Sequence, residues 1–369
     1  MADEELKIDS TQTLKNFQAP QLDYLPPVPN NTRAGIGLIG CGGIASYHLE
    51  AYRDAGFNVV ALCDVDKAKA IERRDTYYPG AEVMTDYRDM LNVNDIEIVD
   101  AAVHPEIRVS IIEDALNAKK HVLSQKPFVL DLETGKRLSD LAGRNAVKLA
   151  VNQNGRWAPH FSYIRRAIAA GEIGEITGVH MDIHWDHSWT AGTPFDEIPH
   201  LVLYDFGIHW FDMLHCFLPD AKADSVYASV KSVPGQINKA PMSAQVNIAF
   251  PNLQASLIFD AATRFGAMDR TYVTGTLGTL VSEGPDLSHQ TVRLFSDGGV
   301  ATPDLKGEWF KSGFLGTMSE LMCAIEENRE PNHSGRNNLR SLEYCFSAMA
   351  SANEGVPKPL GETVMKPKD

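Results

Sequence analysis

The chain has 369 residues, 44% apolar and 22% charged, with a formal net charge of −14 at pH 7. That composition is globular, the length favours two domains, and the acidic balance argues against a nucleic-acid partner, whose phosphates want the opposite sign. No run approaches the roughly 18 apolar residues of a membrane span, and five scattered cysteines without a CxxC pair argue against a disulfide framework or a zinc site.

Residues 1–33 read as a polar extension. The acidic start, MADEELK, lacks the basic region and apolar stretch of a signal peptide, so the expected location is the cytoplasm. The prolines of YLPPVPNNTR favour extended backbone, as a tail or as an arm laid on a neighbouring subunit.

From Ala34 the pattern changes. The apolar run 36–39 predicts a buried parallel strand, followed by a Gly40-Cys41-Gly42-Gly43 turn and a helix with Ile44, His48 and Tyr52 on one face. Gly40-x-Gly42-x-x-Ala45 is the alanine-ending form of the dinucleotide fingerprint. One glycine makes the turn, the next lets backbone approach a pyrophosphate, and a small residue packs helix on strand. Gly40, Gly42, Gly43 and Ile44 are therefore the expected phosphate contacts, at a helix N-terminus. A second apolar run ends in Asp64, where a carboxylate receives ribose hydroxyls and repels a 2′-phosphate. NAD is the expected cofactor.

Strands at 96–103, 121–128 and 147–154 then alternate with helices at 107–120 and 131–145, which predicts a doubly wound parallel sheet. Ligands of such sheets lie beyond the carboxyl ends of the strands. His104, Gln125, Lys126 and Asn154 stand at those ends, with Pro127 halting the strand behind Lys126.

The texture shifts near residue 156, which divides a dinucleotide domain at 34–155 from a substrate and oligomerisation domain at 156–369. After a helix ending at Gly171, residues 176–187 alternate as a half-exposed strand. Further strands at 223–233, 243–250, 254–263, 270–283 and 291–296, without regular helices between them, predict an α+β domain with a large, mostly antiparallel open sheet. A helix at 201–219 interrupts them, and helices near 316–328 and 335–353 close the chain. The 201–219 helix is apolar, yet spacings of four and three set Asp205, His209 and Asp212 along one side. Burying such groups is costly unless they are paired or used.

These stretches, from about residue 34 onward, together resemble the Gfo/Idh/MocA family of nicotinamide-dependent oxidoreductases. The resemblance is carried by GLIGCGGIA, the Lys-Pro step of KKHVLSQKPFVLD, NGRWAP, AAGEIGEI and DFGIHWFD. It implies that Lys126, Asp205 and His209 converge at the nicotinamide as catalytic residues. Hydride leaves a secondary alcohol carbon while Lys126 and His209 handle the hydroxyl proton. Asp212, one turn on, is the member read as structural. Two departures stand out: Gln125 where glutamate is usual, and Arg108 where a histidine is often found.

The substrate contacts expected are Lys126, Arg156, Trp157, His187, Trp189, Asp205 and His209. Aromatic faces beside hydrogen-bonding groups suit a carbohydrate or cyclitol. No metal site is expected, since His180 and His184 on an extended strand stand about 13 Å apart. A homodimer or homotetramer is expected, with no membrane partner. Two other readings exist. One is redox-assisted glycoside cleavage with NAD recycled in place. The other is a non-catalytic sensor, against which the presence of both Lys126 and His209 argues.

Overall fold

The structure, a computed structural model, describes residues 14–368. Its first layer is a six-stranded parallel sheet of β1 (Gly35–Ile39), β2 (Asn58–Cys63), β3 (Glu82–Met84), β4 (Ile96–Ala101), β5 (His121–Ser124) and β6 (Leu149–Val151), in the order β3-β2-β1-β4-β5-β6. The strands are linked by α1 (Ala45–Asp54), α2 (Lys67–Tyr77), α3 (Tyr87–Leu91), α4 (Pro105–Asn117) and α5 (Leu132–Arg144). This is the doubly wound sheet the alternation predicts. The strand order reverses between β1 and β4, where such sheets open a ligand crevice.

The sequence reading passed over α2, β3 and α3, for a physical reason. Helix α2 buries only Ala70, and β3 has three residues, none buried, so neither carries an apolar period. Their starts are marked instead by Asp66 and Asp86, whose carboxylates cap α2 and α3.

The second layer follows α6 (Pro159–Ala169). It contains β7 (Ile176–His184), α7 (Ile208–Phe217), β8 (Ser225–Lys231), β9 (Ser243–Ala249), β10 (Gln254–Asp260), β11 (Met268–Gly275), β12 (Gly278–Gly284), β13 (Thr291–Ser296), β14 (Gly299–Ala301), α8 (Trp309–Glu326), α9 (Gly335–Glu354) and β15 (Lys358–Pro359). Nine strands pair in the order β14-β13-β12-β11-β7-β10-β9-β8-β15, antiparallel throughout except β7 beside β10. Alternation places Ala244, Val246 and Ile248 of β9, with Ala255, Leu257 and Phe259 of β10, on the helix-covered face.

Residues 270–283, read as one strand, are two. They fold back between Thr274 and Thr279, and the turn leaves no room for a side chain at Gly275, whose Cβ would lie 2.1 Å from the Ile173 carbonyl oxygen. Helix α8 starts earlier than expected, at Trp309, and its Phe314, Met318, Leu321 and Met322 join the core of the first sheet with Leu38, Leu49 and Tyr52. The dinucleotide layer is thus completed by residues from the far end of the chain.

Of the N-terminal extension, residues 1–13 lie outside the described residues. Residues 14–33 lie along the chain's own surface. Phe17 and Val300 exchange backbone bonds with Val300 and Lys15, the Tyr24 hydroxyl accepts from the Lys306 N–H, and Glu326 accepts from Asn30 and Asn31. Among the described residues no helix is long and apolar enough to cross a membrane.

Candidate active site

At the β1 end, Gly40 has φ +97°, and a Cβ there would lie 2.6 Å from the Ala102 carbonyl oxygen. Only glycine fits. At Gly42 and Gly43 an added Cβ would meet nothing within 4 Å, so their backbone faces open space. Among the described hydrogen bonds the Gly42, Gly43 and Ile44 N–H groups have no acceptor, while those of Ala45, Ser46 and Tyr47 bond back to Gly42, Gly43 and Ile44 carbonyls. Free donors at a helix start, with open space before them, fit a pyrophosphate. Asp64, at the β2 end, accepts the Cys41 N–H at 2.7 Å and the Asp66 N–H at 2.8 Å. This ties the second strand to the glycine turn and leaves carboxylate lone pairs for ribose hydroxyls.

His104 is exposed at the start of α4, with Pro105 at its first turn. Asn154 is buried in a short turn after β6, against Gly313 of α8. Gln125 follows β5 and is buried, its Oε1 accepting the Lys126 N–H at 2.7 Å. Arg108 of α4, almost fully buried, donates to the carbonyls of Val103, Gln125 and Pro127. Burial pushes its pKa down to about 10. The departure at 108 is therefore a cation that stitches together the backbone around Lys126.

Lys126 Nζ reaches Asp205, donating to its carbonyl oxygen at 2.8 Å and its Oδ1 at 3.2 Å. Asp205 does not lie on the α-helix the spacing predicts. Residues Val202–Phe206 wind as a wider π turn, with the Gly207 N–H bonding to the Val202 carbonyl, and α7 begins only at Ile208. Such turns redirect side chains and are frequent at functional sites. His209, half-buried one turn on, has no hydrogen-bond partner among the described residues at Nδ1. Its ring stands edge-on to Trp309 at 5.7 Å. Burial, with Lys126 adding and Asp212 opposing, pushes its pKa down to about 3, so the imidazole is neutral.

Beyond His209 the wall is aromatic. Trp185 stacks on His187 at 5.1 Å and lies 5.3 Å from Trp210, which stacks at 6.1 Å on Trp309. Phe206 meets His187 at 4.2 Å. Burial pushes His187 down to about 4. Trp189 is 57% exposed, with its ring edge on Phe195, at the outer end of the row.

Arg156 and Trp157, expected at the substrate, are committed elsewhere. Arg156 forms a bidentate pair with Asp212, 2.7 Å from Nε to Oδ2 and 2.6 Å from a terminal nitrogen to Oδ1, and also donates to Asn332 and Asn337. Ser341 adds a bond to Asp212 at 2.8 Å. Both side chains are nearly inaccessible, so the arginine satisfies a buried carboxylate and is not free for a ligand. Trp157 packs against Gly316 and His333. Asp212 thus leaves the Lys126–Asp205–His209 group, as its structural reading requires.

The sequence reading does not reach Trp309 and Trp210, which are buried behind His209, or His48 beneath Gln125. Trp309 lies a hundred residues past His209 in the chain and had no local signal; Trp210 and His48 were visible only as members of apolar helix faces. Among the described residues no group of three or more His, Cys, Asp or Glu is arranged to hold a metal ion.

Comparison with known proteins bears on this arrangement. Residues 34–153 match the oxidoreductase family with an NAD-binding Rossmann fold named for Gfo, Idh and MocA, and residues 161–281 match its C-terminal domain. D-apiose dehydrogenase of Paraburkholderia graminis is 25% identical over 344 residues, covering 86% of this chain and 87% of that protein. Inositol 2-dehydrogenase of Rhizobium meliloti is 26% identical, covering 86% of this chain and 97% of that protein. The crystal structure of an Agrobacterium radiobacter oxidoreductase, in complex with NAD+, L-tartaric acid and magnesium, shares the fold with a TM-score of 0.80 at 22% identity, covering 89% of this chain and 98% of that one. The glycine turn, the second sheet and both sequence matches agree: this chain is an NAD-dependent oxidoreductase of the Gfo/Idh/MocA family.

Proposed function

We propose that the protein oxidises a secondary alcohol of an uncharged sugar, glycoside or cyclitol, using NAD bound by residues 34–155 and substrate held by residues 156–369. The observation that carries this reading is the Lys126–Asp205 contact beside a neutral His209. Bound NAD supplies the hydride acceptor. An ammonium has three donors; two of Lys126's are engaged by Asp205, and the third is available to the substrate oxygen, where it stabilises developing negative charge. His209 is neutral at pH 7, so one ring nitrogen carries a lone pair that can accept from the substrate hydroxyl. The aromatic row from Trp185 and His187 to Trp189, with Trp210 buried behind it, supports a ring with apolar C–H faces. Arg108 and Arg156 are engaged with carbonyls and with Asp212, so neither is free for a substrate carboxylate or phosphate. The relatives named for D-apiose and inositol favour the same class of neutral polyol.

Five free cysteines suit a reducing cytoplasm. Tyr227 and Tyr272, exposed on the uncovered face of the nine-stranded sheet, support a homodimer or homotetramer through that face.

The experiment is reduced-nicotinamide absorbance with NAD and a panel of inositols, aldoses and glycosides, wild type beside Lys126→Ala. A rise with a neutral class, lost in the variant, is expected. Substrate consumed with no rise would replace this reading with glycoside cleavage on a recycled cofactor, and binding of NAD with nothing consumed would replace it with a sensor.

A further inference from the structure

Residues 364–366, after the last helix and β15, cross the structure at the two segments that carry Lys126 and Asp205. On the Lys126 side, the Leu132 N–H donates to the Val364 carbonyl and the Lys366 N–H to the Leu130 carbonyl, each at 2.8 Å, with Asp131 opposite Met365 in an antiparallel bridge. Leu130 is four residues past Lys126. The link between them is held firmly: Phe128 and Val129 are fully buried, and Arg108 donates to the Pro127 carbonyl. On the Asp205 side, Lys366 Nζ stands 4.2 Å from the centre of the Tyr204 ring, one residue before Asp205 in the π turn. The Tyr204 N–H bonds to the His200 carbonyl at the entry to that turn. His200 Nε2 in turn donates to Asn353 Oδ1 at 2.5 Å, and the Asn353 amide donates to the Lys368 carbonyl at 3.1 Å. The segment thus touches the turn at its entry and at its centre.

We propose that Lys366 is a positioning residue for the Lys126–Asp205 pair: its ammonium clamps the Tyr204 ring while its backbone pins residues 130–132, so that one residue fixes both sides of the contact. Val364 and Met365 are 47% and 58% exposed, whereas Lys366 is half-buried, so the grip on the turn comes from Lys366. Tyr204 is 2% exposed, and its hydroxyl has no hydrogen-bond partner among the described residues. No hydrogen bond orients the ring; packing and the cation over its face do. An ammonium is drawn to a ring face by the ring quadrupole, the more so where water is excluded. A π turn closes through a wider loop than an α-helix, so its side chains need such outside contacts to hold one direction. The effect on turnover rests on the proposed roles of Lys126 and Asp205; the clamp on the turn does not.

The test combines amide hydrogen exchange on the full chain with steady-state kinetics. Lys366→Met keeps the unbranched stem and the backbone N–H, and removes only the charge. It is expected to speed exchange of the Tyr204 and Gly207 amides about fivefold or more, the weight of a partly desolvated cation–ring contact, while the amides of β9 stay as in wild type. It should lower kcat about 3- to 10-fold, as small misplacements of reacting groups do, with NADH affinity within about twofold. Lys366→Arg keeps a cation for the ring, and is expected to bring exchange and kcat back to within about twofold of wild type. Unchanged Tyr204 and Gly207 exchange in Lys366→Met overturns the proposal, and so does an equal loss in Lys366→Arg. Faster exchange with an unchanged kcat would make Lys366 a clamp on the fold alone, and overturns its positioning role. If wild type oxidises no alcohol, the proposed function falls, while the exchange rates still accept or reject the clamp.

Discussion

The Lys126 ammonium lies 2.8 Å from the backbone carbonyl of Asp205 and 3.2 Å from the carboxylate of the same residue. One contact survives any substitution at 205; the other does not. Asp205→Asn is therefore expected to keep Lys126 in place while removing the charge beside it. It should lower kcat by about 10- to 100-fold, within the range of a positioned acid–base group. NADH affinity, read by fluorescence titration, is expected to stay within about twofold, since the fingerprint loop is untouched. An Asp205→Asn enzyme with wild-type kcat would remove this carboxylate from the chemistry.

The glycine turn separates folding from binding. A Cβ at Gly40 would strike the Ala102 carbonyl oxygen, and φ is +97°, so Gly40→Ala is expected to destabilise the chain itself. A Cβ at Gly43 meets nothing within 4 Å. Gly43→Ala should melt within about 2 °C of wild type, as surface changes do, yet weaken NADH about tenfold or more by intruding where phosphate would lie. A Gly43→Ala protein that binds NADH normally would move the pyrophosphate away from this turn.

How much of this the sequence discloses depends on how local the signal is. The Gly40 turn, Asp64, and Lys126 ahead of Pro127 are fixed by neighbours a few residues away, and each could be read directly. The role of Arg156 could not. Its partner Asp212 lies on another helix, and nothing near residue 156 distinguishes a guanidinium meant for a ligand from one meant for a buried carboxylate. Trp309 reaches His209 from α8 across the interior, and the π turn at Val202–Phe206 keeps the apolar pattern of an ordinary helix. Long-range pairing and a change of helical pitch leave no trace in periodicity.

The Arg156–Asp212 pair is expected to serve stability. Removing one partner strands the other charge in the interior, which costs about 3–5 kcal/mol. Asp212→Asn should lose that much in chemical denaturation, while the folded fraction keeps the KM of wild type. Arg156→Met with Asp212→Leu should recover part of the loss, because both charges leave together. A raised KM at full stability would return Arg156 to the substrate.

Asp269 should set the slope of stability above neutrality. It is 1% exposed on β11, its Oδ2 has no partner among the described residues, and burial, with Asp286 adding, lifts its pKa to about 8 from an ordinary 3.8. The folded chain then holds a proton that the unfolded chain releases, so this group favours folding fully below pH 3.8 and loses that contribution as pH rises towards 8. Buried histidines act in the opposite direction. His160, His209 and His333 are pushed down from 6.5 to about 3, so they lower stability as pH falls towards 6.5 and below. His121, His187 and His215 are likewise pushed down to about 4. At pH 6.5 all six are still half protonated in the unfolded chain, so between pH 6.5 and 8 they oppose Asp269, whose effect is isolated by comparing wild type with Asp269→Asn. The Asp269 contribution to wild-type unfolding free energy is expected to fall there by up to about 1.4 kcal/mol per pH unit, the limit for one proton. Asp269→Asn should flatten that slope and exceed wild type at pH 8. Denaturant titrations at pH 6.5, 7.2 and 8 decide it: equal slopes in the two proteins would mean that the Asp269 carboxyl is ionised in the folded chain and has a partner there.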